Sequence, residues 1–152
     1  MSLPGDDDQA VPIEILLVED DPGDVLITRE AFADHKVRNR ITVCTDGADA
    51  LRFLHRRPPH AGAVRPDIIL LDLNLPGIDG RDVLEAIHAD PSLSRIPVVI
   101  LTSSNAEEDF LRGIELRVDT YIRKPVDFAS LIHVVRRIEA FYISVERAVS
   151  SM

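Results

Sequence analysis

The ten residues Ile68-Ile69-Leu70-Leu71-Asp72-Leu73-Asn74-Leu75-Pro76-Gly77 constrain this chain more than any other stretch. Four consecutive apolar residues run without alternation into one carboxylate, and Leu-Pro-Gly cuts the run off. An unbroken apolar segment of strand length between turn residues suits a strand buried on both faces, and such strands occupy the middle of parallel sheets. Asp72 then stands at the carboxyl end of the strand. In open α/β sheets ligands bind in the crevice beyond those ends, whereas Asp also opens turns ahead of Pro-Gly. Taken alone, the stretch leaves both uses open.

The pattern recurs along the chain. Ile15 to Val18 is a second unbroken apolar run and ends in Glu19-Asp20-Asp21-Pro22-Gly23-Asp24; Val98 to Leu101 runs into Thr102-Ser103-Ser104. Ile41 to Cys44 and Asp119 to Ile122 are shorter strand candidates, the latter followed at once by Arg123-Lys124-Pro125. Helical spacing lies between them. Asp24 is placed to cap a helix with Val25, Leu26, Ala31 and Phe32 on one side, fading near Asp34-His35. Thr45-Asp46-Gly47 turns into a helix carrying Ala48, Leu51, Phe53 and Leu54, and Val83, Leu84 and Ile87 mark another that stops around Asp90-Pro91. Ser104 or Asn105 can cap a helix burying Phe110, Leu111 and Ile114, and Asp127 a last one running through Ser144. The segment from Arg56 to Pro66 is a loop longer than most such connections.

Five strands alternating with five helices predict a flavodoxin-like (βα)5 doubly wound parallel sheet. Parallel strands need crossovers, right-handed crossovers carry helices to both faces, and 2-1-3-4-5 is the usual strand order. Residues 12–146 are expected to form one domain between a flexible tail at 1–11 and a short tail at 147–152.

Composition narrows the function. At 152 residues and 45% hydrophobic, the chain can bury one core without staples. Acids outnumber bases by 26 to 17, for a formal charge of -9, and such a surface repels phosphate backbones, which argues against nucleic-acid binding. There is no signal peptide and no apolar run long enough to cross a bilayer, so a cytoplasmic protein that does not engage membranes is expected. The single cysteine, Cys44, cannot form an internal disulfide, and its apolar setting suits a small core residue.

In the expected topology several polar groups meet at one rim. The first strand brings Glu19 and Asp20, the third Asp72, the fourth Thr102, and the loop after the fifth Lys124. Two carboxylates about 4 Å apart repel by roughly 4 kcal/mol at an effective dielectric of about 20, so they call for a cation. All-oxygen donors with open positions suit Mg²⁺, which keeps several waters, and the absence of histidine beside these positions argues against zinc. Lys124 and the metal would neutralise a transferred phosphoryl group, Thr102 would donate to one of its oxygens, and Asp72 would be the nucleophile that forms an aspartyl phosphate.

At these residues the chain resembles the receiver domains of two-component response regulators. The matching pieces are Leu17-Val18-Glu19-Asp20-Asp21, Leu71-Asp72-Leu73-Asn74-Leu75-Pro76-Gly77-Ile78-Asp79-Gly80, Leu101-Thr102-Ser103 and Tyr121-Ile122-Arg123-Lys124-Pro125, within about residues 13–143. The resemblance implies that Asp72 takes its phosphoryl group from a phosphohistidine of a histidine kinase and that the chain is a signalling protein, not a turnover enzyme. It implies that Asp20, Asp72 and the backbone carbonyl of Asn74 ligate Mg²⁺, with Glu19 acting through a metal-bound water. It implies that Thr102 moves toward the phosphoryl group, that Tyr121 swings inward as a switch, and that Lys124-Pro125 is a cis peptide. The long loop, the Glu-Asp-Asp-Pro-Gly-Asp opening and Lys-Pro-Val-Asp look most like stand-alone regulators paired with phytochrome-type kinases, including bacteriophytochromes. A stand-alone receiver serving a non-photoreceptor kinase, or a phosphorelay intermediate, is the alternative.

There are departures from the family pattern. Glu19 stands where many relatives have a second Asp, Val126 replaces a frequent Phe, and Asn74 and Ser104 occupy positions that tune phosphate loss. Rival classes fit less well. A phosphatase of the haloacid dehalogenase type needs an acid two positions after the nucleophile, where Asn74 stands, and a nucleotide-binding domain needs a glycine-rich turn in place of Glu19-Asp20-Asp21-Pro22. A binding module that keeps the fold without phosphorylation would not need the full set of acids, hydroxyl and lysine. On the last helix, Phe128, Leu131, Ile132, Val135, Ile138 and Tyr142 form one apolar stripe, and Val134, Ile138, Phe141 and Val145 a second, which predicts a homodimer through that helix and an output carried by a changed surface.

Overall fold

The computed structural model describes residues 12–34, 38–75, 77–102 and 120–123, together with Ala129 and His133. The elements are β1 (Ile13–Val18), α1 (Pro22–Asp34), β2 (Asn39–Cys44), α2 (Gly47–Leu54), β3 (Ile68–Asp72), α3 (Gly80–Ala89), β4 (Val98–Thr102) and β5 (Thr120–Arg123). All four strand pairings are parallel, in the order β2-β1-β3-β4-β5. That is the predicted topology, with the apolar runs of β1, β3 and β4 side by side in the middle.

Alternation along each central strand sends side chains into two separate cores. Leu16, Val18, Ile69, Leu71, Val98 and Ile100 pack with Ala50, Phe53 and Leu54 of α2 and Val83, Leu84 and Ile87 of α3. Ile15, Leu17, Ile68, Leu70, Val99, Leu101 and Ile122 face the other way, against Ala31 and Phe32 of α1. Helices on both faces leave β3 buried at every position, Asp72 included. This is why its sequence shows no alternation.

The first helix departs from expectation at two points. It starts at Pro22, so Asp24 lies within its first turn and is not the cap. Proline has no N–H to lose there and its φ is already helical. Asp21 takes the capping role, its Oδ1 accepting from the Gly23 N–H at 2.8 Å while its carbonyl accepts from Val25 N. Leu26 is 56% exposed, not part of the buried side. At 100° per residue it lies opposite the stripe that Asp24, Thr28, Ala31 and Phe32 form toward the sheet. The other caps follow the turn chemistry: Asp46 accepts from Asp49 N ahead of α2, and Asp79 from Arg81 N ahead of α3.

The Arg56–Pro66 connection is a loop as predicted, stepped by hydrogen bonds from His60 N to Arg57 O and from Ala63 N to His60 O. Arg56 adopts a positive φ of 55°, and the Pro58-Pro59 bond is cis. The expected helix after β4, the Lys124-Pro125 bond, most of the last helix and both tails lie outside the described residues.

Candidate functional site

The ends of β1 and β3 build the site. Register pairs Val18 with Leu71, so the next residues, Glu19 and Asp72, leave adjacent strands at the same level. Glu19 is fully buried, its N–H donating to the Cys44 carbonyl at 3.0 Å and its Oε2 accepting from Asp21 N at 3.1 Å. Asp20 is exposed and Asp72 buried. A carboxylate oxygen from each of Glu19, Asp20 and Asp72 lies within 4.8 Å of the others.

The loop after Asp72 is held on its own terms. Asp72 Oδ1 accepts from Asn74 N at 2.9 Å, which orients the carboxylate. Leu73 N extends the ladder to Leu101 O, and Gly80 N closes the loop onto Leu73 O at 3.2 Å. Gly80 has to be glycine: a Cβ there would stand 2.6 Å from Leu73 Cα and would press on the Asp72 carbonyl. Gly47 is confined in the same way, since a Cβ would meet Ile78 O at 2.6 Å. Neither close approach has a local sequence signal beyond a glycine opening a helix. At the loop's outer tip Gly77 takes φ 73°, the conformation that suits glycine after proline.

Of the predicted site residues, the structure therefore brings together Glu19, Asp20 and Asp72, with Asn74 two residues beyond the nucleophile candidate. Thr102 ends β4, one position past Leu101, the register partner of Asp72. Tyr121 lies on β5 opposite Ile100. Lys124 lies outside the described residues, and for Thr102 and Tyr121 only the backbone placement is described.

Two buried carboxylates and one exposed one, all oxygen donors, fit a hard divalent cation, and the exposed side leaves room for water. No helix among the described residues is long and apolar enough to cross a membrane.

A second group was not anticipated from the sequence. Cys44, Asp49 and His60 each place one ligand-type atom within 4.8 Å of the other two. His60 Nε2 is 2.9 Å from Asp49 Oδ1, and the His60 ring meets Phe53 edge-on at a centroid distance of 5.3 Å. Burial, and then the nearby Asp49 charge, pushes the Cys44 thiol up to about 12. Cys44 is buried, as expected of a small core residue, yet its sulfur also lies within 4.8 Å of an Asp49 carboxylate oxygen. No spacing rule links positions 44, 49 and 60, because the third comes from an irregular loop.

Comparison with known proteins agrees with this architecture. The family model described as the response regulator receiver domain matches residues 15–136. The chain is 39% identical over 137 residues to the response regulator Rcp1 of Synechocystis sp., covering 90% of this chain and 93% of that protein. The Mn(2+)-bound crystal form of Rcp1 superposes with a TM-score of 0.74 at 40% identity, over 86% of this chain and 94% of that one. The phosphorylated cyanobacterial phytochrome response regulator RcpA gives 0.75 at 41% identity, over 89% and 96%. The bacteriophytochrome response regulator RtBRR gives 0.77 at 38%, over 84% and 78%. With its 2-1-3-4-5 sheet, its acids gathered at the β1 and β3 ends and a family match spanning most of its length, the chain belongs to the response regulator receiver family.

Proposed function

We propose that Asp72 is the phosphoacceptor of this receiver and that its donor is a phosphohistidine on a histidine kinase. The observation that carries the reading is the convergence of Glu19, Asp20 and Asp72, two of them buried, at the junction of β1 and β3. An Asp72 carboxylate oxygen attacks phosphorus, the P–N bond to the donor imidazole breaks, and its electron pair stays on that nitrogen. The hydrogen bond from Asn74 N to Oδ1 fixes the plane of the nucleophile. Asp20, Asp72 and the Asn74 carbonyl would hold Mg²⁺ directly, and Glu19 would act through water. When bound, Mg²⁺ supplies positive charge against the acids and the incoming phosphoryl oxygens. Thr102 and Lys124 are assigned to those oxygens, and Tyr121 to the switch that reports the phosphorylated state.

The kinase is of the phytochrome type. Support comes from the similarity to the cyanobacterial phytochrome response regulator RcpA and the bacteriophytochrome response regulator RtBRR, and from the resemblance of the long loop and its flanking residues to that subgroup. Residues 12–146 work as one receiver domain, in the cytoplasm, and two copies associate through the last helix. Light scattering with and without a phosphoryl analogue tests the dimer; a monomer at high concentration in both states refutes it.

Incubating the protein with Mg²⁺ and a small phosphodonor, followed by intact-mass measurement, tests the central assignment. A gain of one phosphoryl group, abolished by Asp72→Asn, is the expected result. No gain with any small donor or with candidate kinases overturns it and leaves a binding module that keeps only the fold.

A further inference from the structure

We propose that Cys44, Asp49 and His60 form a second metal site, selective for a borderline ion of the Zn²⁺ class and separate from the all-oxygen site at Asp72. Three elements supply one donor each: Cys44 ends β2, Asp49 lies in the first turn of α2, and His60 comes from the long loop before β3. Sulfur, nitrogen and oxygen donors together suit Zn²⁺ and its neighbours and disfavour Mg²⁺.

The spacing fits. Tetrahedral ligation at about 2.0–2.3 Å puts donor atoms about 3.3–3.7 Å apart. All three atoms already lie within 4.8 Å of one another, and the 2.9 Å between His60 Nε2 and Asp49 Oδ1 needs to open by only a few tenths of an ångström. On binding, the Cys44 S–H bond breaks and its proton goes to solvent; His60 ligates through a neutral nitrogen. A water completes the fourth position, reached from the side where Asp49 and His60 are partly exposed.

Surrounding charge favours the cation. Asp46 and Asp49 are both near Cys44, opposed by Arg52, whose guanidinium is 3.2 Å from Asp49 Oδ1. Arg52 is 45% exposed at its side chain and can leave for solvent without uncovering the core. A site of this kind also gives the long loop a purpose, because it would clamp the loop to the end of β2 and the start of α2.

Co²⁺ reports on the site as a spectroscopic stand-in for Zn²⁺. The untagged, reduced full chain is titrated with Co²⁺ in excess Mg²⁺, alongside Asp72→Asn, Cys44→Ser and His60→Gln. One equivalent should produce sulfur-to-cobalt charge transfer and the intense d–d bands of a tetrahedral ion, unchanged in Asp72→Asn and displaced by Zn²⁺. Both signals should be lost in Cys44→Ser and in His60→Gln. Should the buried Cys44→Ser variant fail to fold, His60→Gln carries the test, since that loop side chain is 23% exposed and circular dichroism verifies the fold. Absence of a thiolate band in the wild-type chain overturns the proposal and leaves a hydrogen-bonded His60–Asp49 pair beside a buried thiol. A band that survives His60→Gln overturns it equally, because the thiolate would then be bound without the loop.

Discussion

Asp72→Asn should make the metal-free protein more stable while abolishing phosphorylation. The charge is removed, but the amide oxygen still accepts from Asn74 N, which bonds Asp72 Oδ1 at 2.9 Å. With carboxylate oxygens at the 4.8 Å limit of the cluster, each pair repels by about 3.5 kcal/mol at an effective dielectric of about 20. Asp72 takes part in two such pairs. The one with exposed Asp20 is discounted heavily for solvent, whereas the one with fully buried Glu19 keeps more of its strength. After side-chain and water relaxation, and with the favourable interactions that Asp72 also makes set against the repulsion, a gain of about 1–3 kcal/mol is expected, or roughly 3–10 °C in Tm for a domain of this size. Urea unfolding at neutral pH, followed by circular dichroism in EDTA and again in Mg²⁺, measures it. At tenfold Mg²⁺ over its Kd the wild-type chain should gain about 1.4 kcal/mol, and the variant, short of one charged donor, distinctly less. The stability gap therefore closes as Mg²⁺ is added. A variant no more stable than wild type in EDTA, or an equal Mg²⁺ gain in both, would refute the repulsion argument.

Gly80→Ala should cost about 1–3 kcal/mol, since the new methyl has no room against the Asp72–Leu73 backbone, and it should slow phosphorylation as well; melting and intact mass check both. Leu84→Ala, at a fully buried position between α3 and the sheet, should cost about 2–5 kcal/mol by denaturant unfolding. Unlike Gly80→Ala, it should leave phosphorylation intact below its melting range. At Asp49 partial burial acts to raise the carboxyl pKa, but hydrogen bonds from His60, Cys44 and Arg52 and the His60 charge outweigh it and hold the group below 3.8. A lowered folded pKa stabilises above the unfolded value, and that contribution is lost as pH falls through the folded one. The stability difference between wild type and Asp49→Asn should be level near pH 5 and shrink below about 3.8; a difference that widens on acidification would contradict this.

Legibility in the sequence followed the range of the forces involved. β1, β3 and β4 were plain because burial on two faces demands unbroken apolar runs, and Glu19, Asp20 and Asp72 were plain because they interrupt those runs at the rim. What escaped depends on contacts between segments far apart in the chain. The exposure of Leu26 on α1 is not legible in the sequence, because four apolar residues can be grouped on more than one helical face and only the sheet decides which is buried. Gly80 serves the backbone of residues Asp72 and Leu73, and His60 meets Asp49 only through the path of an irregular loop.

The juxtaposition of Glu19 with Asp72 rests on register, and the register has a source in the chain. Each of the two central strands contains four apolar residues between acids: Glu14 and Glu19 bracket Ile15 to Val18, and Asp67 and Asp72 bracket Ile68 to Leu71. The pairing aligns the two blocks end to end, Ile15 with Ile68 and Val18 with Leu71. At the lower end Asp67 Oδ2 accepts from Glu14 N at 2.8 Å and Asp67 N donates to the Glu14 carbonyl, which pins the alignment. Since both faces are apolar, alternation cannot select the register; a slip by one residue is penalised instead by drawing an acid into the core, at several kcal/mol for an unpaired charge. The blocks also supply the energy that holds the upper acids together. Leu16, Leu17, Val18, Ile68, Ile69, Leu70 and Leu71 are all at most 1% exposed, and burial of such apolar side chains is the dominant favourable term in folding. The acids at the upper end are carried by strands packed on both faces, whose register fixes where they meet. The sheet can therefore hold two acids in a position they would not choose, ready for a cation and a phosphoryl group.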